Sequence, residues 1–364
     1  MSLKSKEIII KSKLRDYSVF FPSDASFIND LIATSNSILL VDEGVWEAHK
    51  DELLKNVPKS EYYIVPISEE KKTLDSVQSL YDILINRAVK KNLTIIAIGG
   101  GIMQDISGYV ASTLYRGVNW IFIPTTLLSQ VDSCIGGKTS LNYKQYKNLI
   151  GTFYPPFKIF VFPQFLKTQH NLEYFSGLGE VVKLHIIGGE KLIDDIQRNI
   201  EDLKVRDETV LRKIIRDCLM IKKEIIENDE FDKGRRNILN YGHCFGHAIE
   251  SASNYVIPHG QAILLGIMLA NKVAVERGIL SQEYEKFLRE KILMPVKQEY
   301  VGIEKIDNKK IIENMKMDKK RTGKELALIT IRNGPEMVQL NDLSENEAIK
   351  ILNIYKEYEN RKNT

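Results

Sequence analysis

Short runs of β-branched and apolar residues alternate with helix-period segments as far as about residue 170. SILLV, YYIVPI, TIIAIGG, WIFIPTT and KIFVF read as strands bounded by turn-forming residues. Between them, residues 73–91 place Leu74, Val77, Leu80, Ile83 and Leu84 at helical spacing, which predicts an amphipathic helix packed on a sheet. Strands and helices in alternation mark an α/β layer architecture.

After Asn171 the strand signals fade. Long helical patterns such as LRKIIRDCLMIKKEIIE and AILLGIMLANKVAVERG dominate until an extended stretch, ELALITI, near the end. The pattern therefore predicts two domains, an α/β domain over residues 1–170 and a mainly helical domain over residues 171–364. The charged tail KEYENRKNT is expected to fray.

Charge adds little to this division. Fifty-one lysines and arginines against 48 acidic residues leave +3, which argues against a nucleic-acid partner and confines any anion site to a local basic cleft. Cys134, Cys218 and Cys244 share no short spacing, so they form neither a disulfide framework nor a zinc knuckle, and a reducing cytoplasm fits them. MSLKSKEIII lacks the apolar core of a signal peptide, and the apolar stretch at residues 262–270 is too short to span a bilayer, so no membrane association is expected.

TIIAIGGGIMQDISGY sets Gly99, Gly100 and Gly101 between a buried strand and a helix, where backbone amides can approach a pyrophosphate at the helix N-terminus. The GxGxxG order is absent, and a tight ligand-free turn explains three glycines as readily. Asp42 closes the strand SILLV where a carboxylate can hold a ribose hydroxyl, and Asp105 follows on the next helix. An aspartate at a strand end also serves as an ordinary helix cap.

NYGHCFGHAIESASNYVIPHG carries three of the six histidines. His243 and His247 are four apart and stack on one helix face. His243, His259 and a carboxylate, for which Glu180 in GLGEVVK is the choice, give the three-donor set of a catalytic zinc site. Glycines at 242, 246 and 260 flank the histidines and imply close approach of something other than a side chain. Cys244 is rotated about 100° from His243 and is no ligand. Lys183 shares a helix face with Glu180, either to meet whatever the metal holds or as a simple salt bridge. Lys138 in SCIGGKTS, Lys147 and Asn148 in YKNLIG, and Arg116 stand beside glycine-rich loops and are candidates for an anion pocket, although single basic residues more often solvate a surface.

Taken together, GGGIMQD, YRGV, PTTLLSQVDSCIGGKTSLN, KNLIG, GLGEVVK and NYGHCFGHAIE resemble the 3-dehydroquinate synthase family of sugar-phosphate cyclases, in the family's order, from about Asp42 to Lys320. The resemblance implies a Rossmann-like NAD-binding domain followed by a mainly α-helical metal-binding domain, in a cytoplasmic homodimer. It implies that Glu180, His243 and His259 bind a divalent metal, zinc or cobalt. Asp42, Glu69, Lys72, Gly99, Gly100, Gly101, Asp105, Thr125, Thr126, Phe165, Thr168 and Glu173, with Lys138 and Lys147, fall on NAD-binding positions. Arg116, Asp132, Lys138, Lys147, Asn148, Lys183, Lys222, Arg236, Asn240, His247 and Lys319 match the polar set around a seven-carbon keto-acid phosphate, Arg236 facing its carboxylate.

The implied reaction oxidises the C4 hydroxyl with NAD, expels phosphate by β-elimination, returns the hydride, and closes the ring by an aldol step. His247, with bound water and the substrate phosphate, is the expected proton carrier.

Five places depart from the family pattern. Gln104 replaces the usual glycine, residues 143–148 lack the proline and glycine of HPxGKN, Asp232 replaces a glutamate, and Gln169 with His170 replaces Leu-Pro. Gln261 replaces the glutamate of His-Gly-Glu, which removes an expected carboxylate behind the metal and is expected to weaken its binding. Three other functions stay open from sequence: a sister cyclase acting on sedoheptulose 7-phosphate or glucose 6-phosphate, a metal-dependent polyol dehydrogenase that releases NADH, and a non-catalytic binding protein.

Overall fold

The structure, a computed structural model, describes residues 7–33, 36–86, 91–144, 146–298, 303–317 and 326–362. The chain divides into two compact units, Met1–Gln169 with Lys222–Phe231, and His170–Ile221 with Asp232–Thr364.

In the first unit the strands are β1 (Ile8–Ile10), β2 (Tyr17–Phe20), β3 (Ser37–Asp42), β4 (Tyr62–Val65), β5 (Thr94–Gly99), β6 (Asn119–Pro124), β7 (Lys138–Tyr143), β8 (Tyr146–Phe153) and β9 (Lys158–Phe160). Seven of them form one sheet in the order β1-β2-β9-β6-β5-β3-β4, parallel except for the β1 edge. The central strand β5 is apolar and almost wholly buried, as expected where both sheet faces are covered. Helices α1 (Ser26–Ala33), α2 (Glu43–His49), α3 (Leu74–Asn86) and α4 (Gly101–Thr113) connect the strands. Leu39, Val41, Ile96, Ile98, Ile121 and Ile123 interleave with Phe27, Phe160, Phe162 and Phe165 in the core.

The five strands read from the sequence are all present. The predicted helix buries Val77, Leu80 and Leu84 but leaves Leu74 41% exposed and Ile83 half-buried, so its apolar stripe is narrower than its spacing implied. Lys138, Lys147 and Asn148 lie on an antiparallel ribbon, β7 with β8, and the Gly136–Gly137 pair turns the chain into it. Its turn replaces the missing proline and glycine with Lys144 at φ +54°, followed by Gln145, which lies outside the described residues.

The second unit contains α5 (Asn171–Ile187), α6 (Glu190–Lys204), α7 (Glu208–Asn228), whose last turns group with the first unit, α8 (His243–Ala252), α9 (His259–Glu276), α10 (Gln282–Phe287), α11 (Asn308–Lys316) and α12 (Glu345–Lys362). ELALITI supplies β10 (Leu326–Arg332), paired antiparallel with β11 (Glu336–Leu343), a strand its polar sequence had hidden. The charged tail is described as far as Lys362, and Asn363 and Thr364 lie outside the described residues. It continues α12 to Lys362, anchored by Lys297 Nζ 2.9 Å from Glu359 and by Arg289 over the Tyr358 ring.

Candidate metal centre and nucleotide-binding turn

Helix α9 is buried along almost its whole length, and glycine is what lets its neighbours close on it. A Cβ on Gly260 would lie 1.8 Å from the Ser176 carbonyl oxygen, and one on Gly179 would lie 2.2 Å from the Gly260 carbonyl oxygen. These contacts pin His259, at the start of α9, against Glu180 on α5. The partner that the flanking glycines admit is therefore helix backbone. Gly242, at φ +76°, turns the chain into α8 and delivers His243.

Glu180 is fully buried. Nε2 of His259 stands 3.4 Å and Nε2 of His243 4.0 Å from its Oε1, and the Lys183 ammonium is 2.5 Å from its Oε2. Among the described residues neither Glu180 oxygen has an aligned hydrogen-bond donor. Ring nitrogens of His243, His247 and His259 lie within 4.8 Å of one another. Nδ1 of His243 faces the Tyr241 carbonyl at 3.1 Å and Nδ1 of His259 faces Glu250 Oε2 at 3.0 Å, which turns both Nε2 atoms toward Glu180. A buried carboxylate paired with the Lys183 ammonium and two imidazoles so oriented fit a tetrahedral divalent ion, with His247 beside the open position.

The electrostatics agree. Burial opposes the Glu180 charge, but Lys183 and His259 outweigh it and hold the carboxyl at about 2. Burial, with Lys183 and the two other histidines, keeps His243 well below its ordinary value and so neutral. His259 also loses solvent, yet its bonds to Glu180 and Glu250 raise it to about 10. A proton on His259 stands where a metal would.

Glu250 was not singled out from the sequence, although it lies seven residues after His243 and three after His247, on the same helix face. Gln261 is buried, donates to the Phe175 and Val296 carbonyls and accepts from the Gln298 amide. It ties α9 to its surroundings, while the carboxylate behind His259 is that of Glu250.

In the first unit β5 ends at Gly99 and α4 begins at Gly101. A Cβ on Gly99 would meet Met103 Cβ at 2.5 Å and one on Gly100 would meet Thr126 Cγ2 at 3.0 Å, so these two serve packing. At Gly101 the nearest atom is Ser133 Oγ at 3.8 Å, leaving open the side from which a phosphate would approach the helix N-terminus. Thr125 follows β6 beside Gly99 with its buried hydroxyl unpartnered, and Thr126 bonds Ser129 at 2.8 Å. Gln104, the unexpected glutamine, clasps the turn by donating to the Ser133 carbonyl and accepting from its hydroxyl, both at 2.7 Å. Asp42 takes the helix-cap role weighed for it, accepting from the Gly44 and Val45 amides through Oδ1. The open side of Gly101 and the orphaned hydroxyl of Thr125, whose amide bonds the Gly99 carbonyl in the same turn, fit a dinucleotide pyrophosphate.

Five residues chosen from separate stretches meet in one network. Lys72 Nζ lies 2.5 Å from Asp105 and donates to Asn148 Oδ1 at 2.6 Å; Asp105 accepts from the Ser140 amide at 2.9 Å. Asn142 donates to Glu69 Oε1 at 2.8 Å, and Lys147 Nζ is 3.9 Å from the same oxygen. Asn148 holds φ +52°, a strained value that aims its amide into this network.

Lys138 opens β7 and is exposed; Arg116 is exposed at φ +64° before β6. Lys222 pairs with Asp132 at 2.9 Å. Phe165 belongs to the sheet core, and Thr168 bonds His49 at 2.7 Å. Glu173 is exposed on the first turn of α5. Arg236 is buried in the 3₁₀ turn that leads toward α8, and Asn240 closes that turn with a bond to Asn237. Lys319 lies outside the described residues. No helix among the described residues is long and apolar enough to cross a membrane.

Comparison with known proteins gives a consistent picture. Residues 62–176 match the family described as 3-dehydroquinate synthase N-terminal, and residues 177–321 match 3-dehydroquinate synthase C-terminal. A 3-dehydroquinate synthase of Clostridium tetani is 45% identical over 244 residues, 66% of this chain and 65% of the relative. One of Dictyoglomus turgidum is 35% identical across 87% of this chain and 88% of its own. Among solved structures, a 2-deoxy-scyllo-inosose synthase complexed with carbaglucose-6-phosphate, NAD+ and Co2+ shares the fold, with a TM-score of 0.82 at 24% identity over 95% of this chain and 99% of its own.

Proposed function

Because the chain belongs to the 3-dehydroquinate synthase family, we propose that it is itself a 3-dehydroquinate synthase, converting 3-deoxy-D-arabino-heptulosonate 7-phosphate to 3-dehydroquinate and phosphate in the shikimate route. It is an enzyme of the phosphorus–oxygen lyase type. The observation that carries the reading is the buried Glu180 carboxylate, without an aligned donor among the described residues and faced by two histidine Nε2 atoms.

In this reading residues 1–170 carry the nucleotide and residues 171–364 the metal. Bound zinc or cobalt supplies Lewis acidity at a substrate hydroxyl, and NAD supplies a reversible hydride store. Glu180, His243 and His259 are assigned as metal ligands, with Glu250 holding His259 in place. Gly101 and Thr125 receive the pyrophosphate region, with Asp42 at the ribose and Lys72 and Asp105 beside them. Arg116, Lys138, Lys147 and Asn148 bind the substrate phosphate, and Arg236 its carboxylate. His247 handles the proton at the reacting carbon–oxygen centre. Asp132, Lys183, Lys222, Asn240 and Lys319 complete the polar set. Homodimeric assembly and a cytoplasmic location belong to the same proposal and rest on family membership.

Steady-state phosphate release from the heptulosonate phosphate tests it. Release that requires both NAD and a divalent metal supports the assignment. Release on glucose 6-phosphate or sedoheptulose 7-phosphate alone would transfer the enzyme to another cyclase activity.

A further inference from the structure

His185 stands five residues beyond Glu180 on α5, about 140° around the helix from it, and so faces away from the metal centre described above. It is completely buried. Nδ1 lies 2.8 Å from the Val181 carbonyl, which fixes the proton on that nitrogen, and Cys218 Sγ is 3.7 Å from the same atom. Nε2 therefore carries the lone pair, and nothing among the described residues donates to it. A buried acceptor left alone costs about 1–3 kcal/mol, so Nε2 is positioned for an occupant.

Two carboxylates supply the surroundings. A ring nitrogen of His185, one oxygen of Asp195 on α6 and one of Asp217 on α7 lie within 4.8 Å of one another. Donors sharing one ion at about 2.1 Å are separated by up to about 4.2 Å, so a small inward movement of the aspartates suffices. Burial keeps the imidazole in its neutral, ligating form. The place already attracts positive charge: the Lys213 ammonium contacts Asp195 Oδ2 and lies 3.2 Å from Asp217 Oδ2, and Arg198 approaches Asp195 Oδ1 at 3.7 Å. Lys213 is half exposed on a flexible stem and can withdraw to solvent.

We propose that His185, Asp195 and Asp217 form a second divalent-cation site, which clips α5, α6 and α7 together and for which the Lys213 ammonium competes. One imidazole with two carboxylates suits zinc, cobalt or manganese better than calcium or magnesium. The site is separate from the proposed catalytic metal and does not depend on the reaction assigned to that centre.

Equilibrium dialysis of the full chain against zinc, with metal counted per chain, tests this. Wild-type protein is expected to bind two ions of unequal affinity. The paired variant Asp195→Asn and Asp217→Asn should bind one fewer while turnover is unchanged. Lys213→Met should tighten the weaker ion by at least about tenfold, as expected when a competing unit charge is removed. His185→Gln should match the aspartate variants if it folds; the aspartates are only partly buried and do not carry that risk. An ion count that the paired aspartate substitution leaves unchanged would overturn the proposal. Two ions per wild-type chain without turnover of the heptulosonate phosphate would count against the catalytic assignment alone.

Discussion

Glu250 Oε2 stands 3.0 Å from Nδ1 of His259, whose Nε2 faces Glu180 at 3.4 Å, so one imidazole is held between two carboxylates. Such a carboxylate behind a ligand fixes ring orientation and raises its basicity. Glu250→Gln is expected to weaken zinc binding by about 10- to 100-fold while the protein stays folded. Competition with a chromophoric chelator reads the affinity, and circular dichroism the fold. An unchanged affinity would remove Glu250 from the metal centre.

Metal binding should be coupled to a proton. With His259 raised to about 10, the metal-free protein holds a proton there at neutral pH. Each ion bound displaces it, so affinity rises about tenfold per pH unit until pH nears 10. Calorimetry in two buffers of different ionisation enthalpy should report release of about one proton. The sign for stability is opposite: the raised His259 stabilises the metal-free fold fully below its ordinary value of 6.5, and that contribution is lost as pH rises through about 10. Because 30% of the side chain is exposed, solvent screens part of it.

Two glycines of one turn should behave differently. Gly99→Ala drives a Cβ to 2.5 Å from that of Met103 and should cost about 1–3 kcal/mol in chemical denaturation. Gly101→Ala meets nothing closer than 3.8 Å and should retain full stability, yet weaken NAD binding by about tenfold or more, because the methyl occupies the phosphate approach. NAD titration by intrinsic fluorescence separates the two, and unaltered NAD affinity in Gly101→Ala would remove this turn from the nucleotide site.

Lys72→Met should strand Asp105, whose carboxyl burial already pushes above its usual range and whose charge Lys72 offsets. A loss of roughly 3 kcal/mol at neutral pH is expected, since removing one member of a buried pair leaves the other uncompensated. The loss should shrink as pH falls and Asp105 takes up a proton. A pH-independent deficit in urea titrations would contradict this.

The sheet was legible because β3, β5 and β6 are unbroken apolar runs, and α9 because its apolar length exceeds any strand. β1 and β2 are too short, and β11 too polar, to signal themselves. The histidine cluster could be read from spacing, since a helix places residues four apart on one face. Glu250 was overlooked because a glutamate on a helix usually solvates a surface, and only its distance from His259 gives it a role. Gln104 and Gln261 read as losses because a family pattern names the residue that is missing, whereas the bonds that replace it are tertiary.

Purified protein incubated with NAD, zinc or cobalt and the heptulosonate phosphate should release phosphate and form 3-dehydroquinate, identified by mass, while absorbance shows no net NADH. Stoichiometric NADH with no carbocycle would contradict the account and make the protein a dehydrogenase.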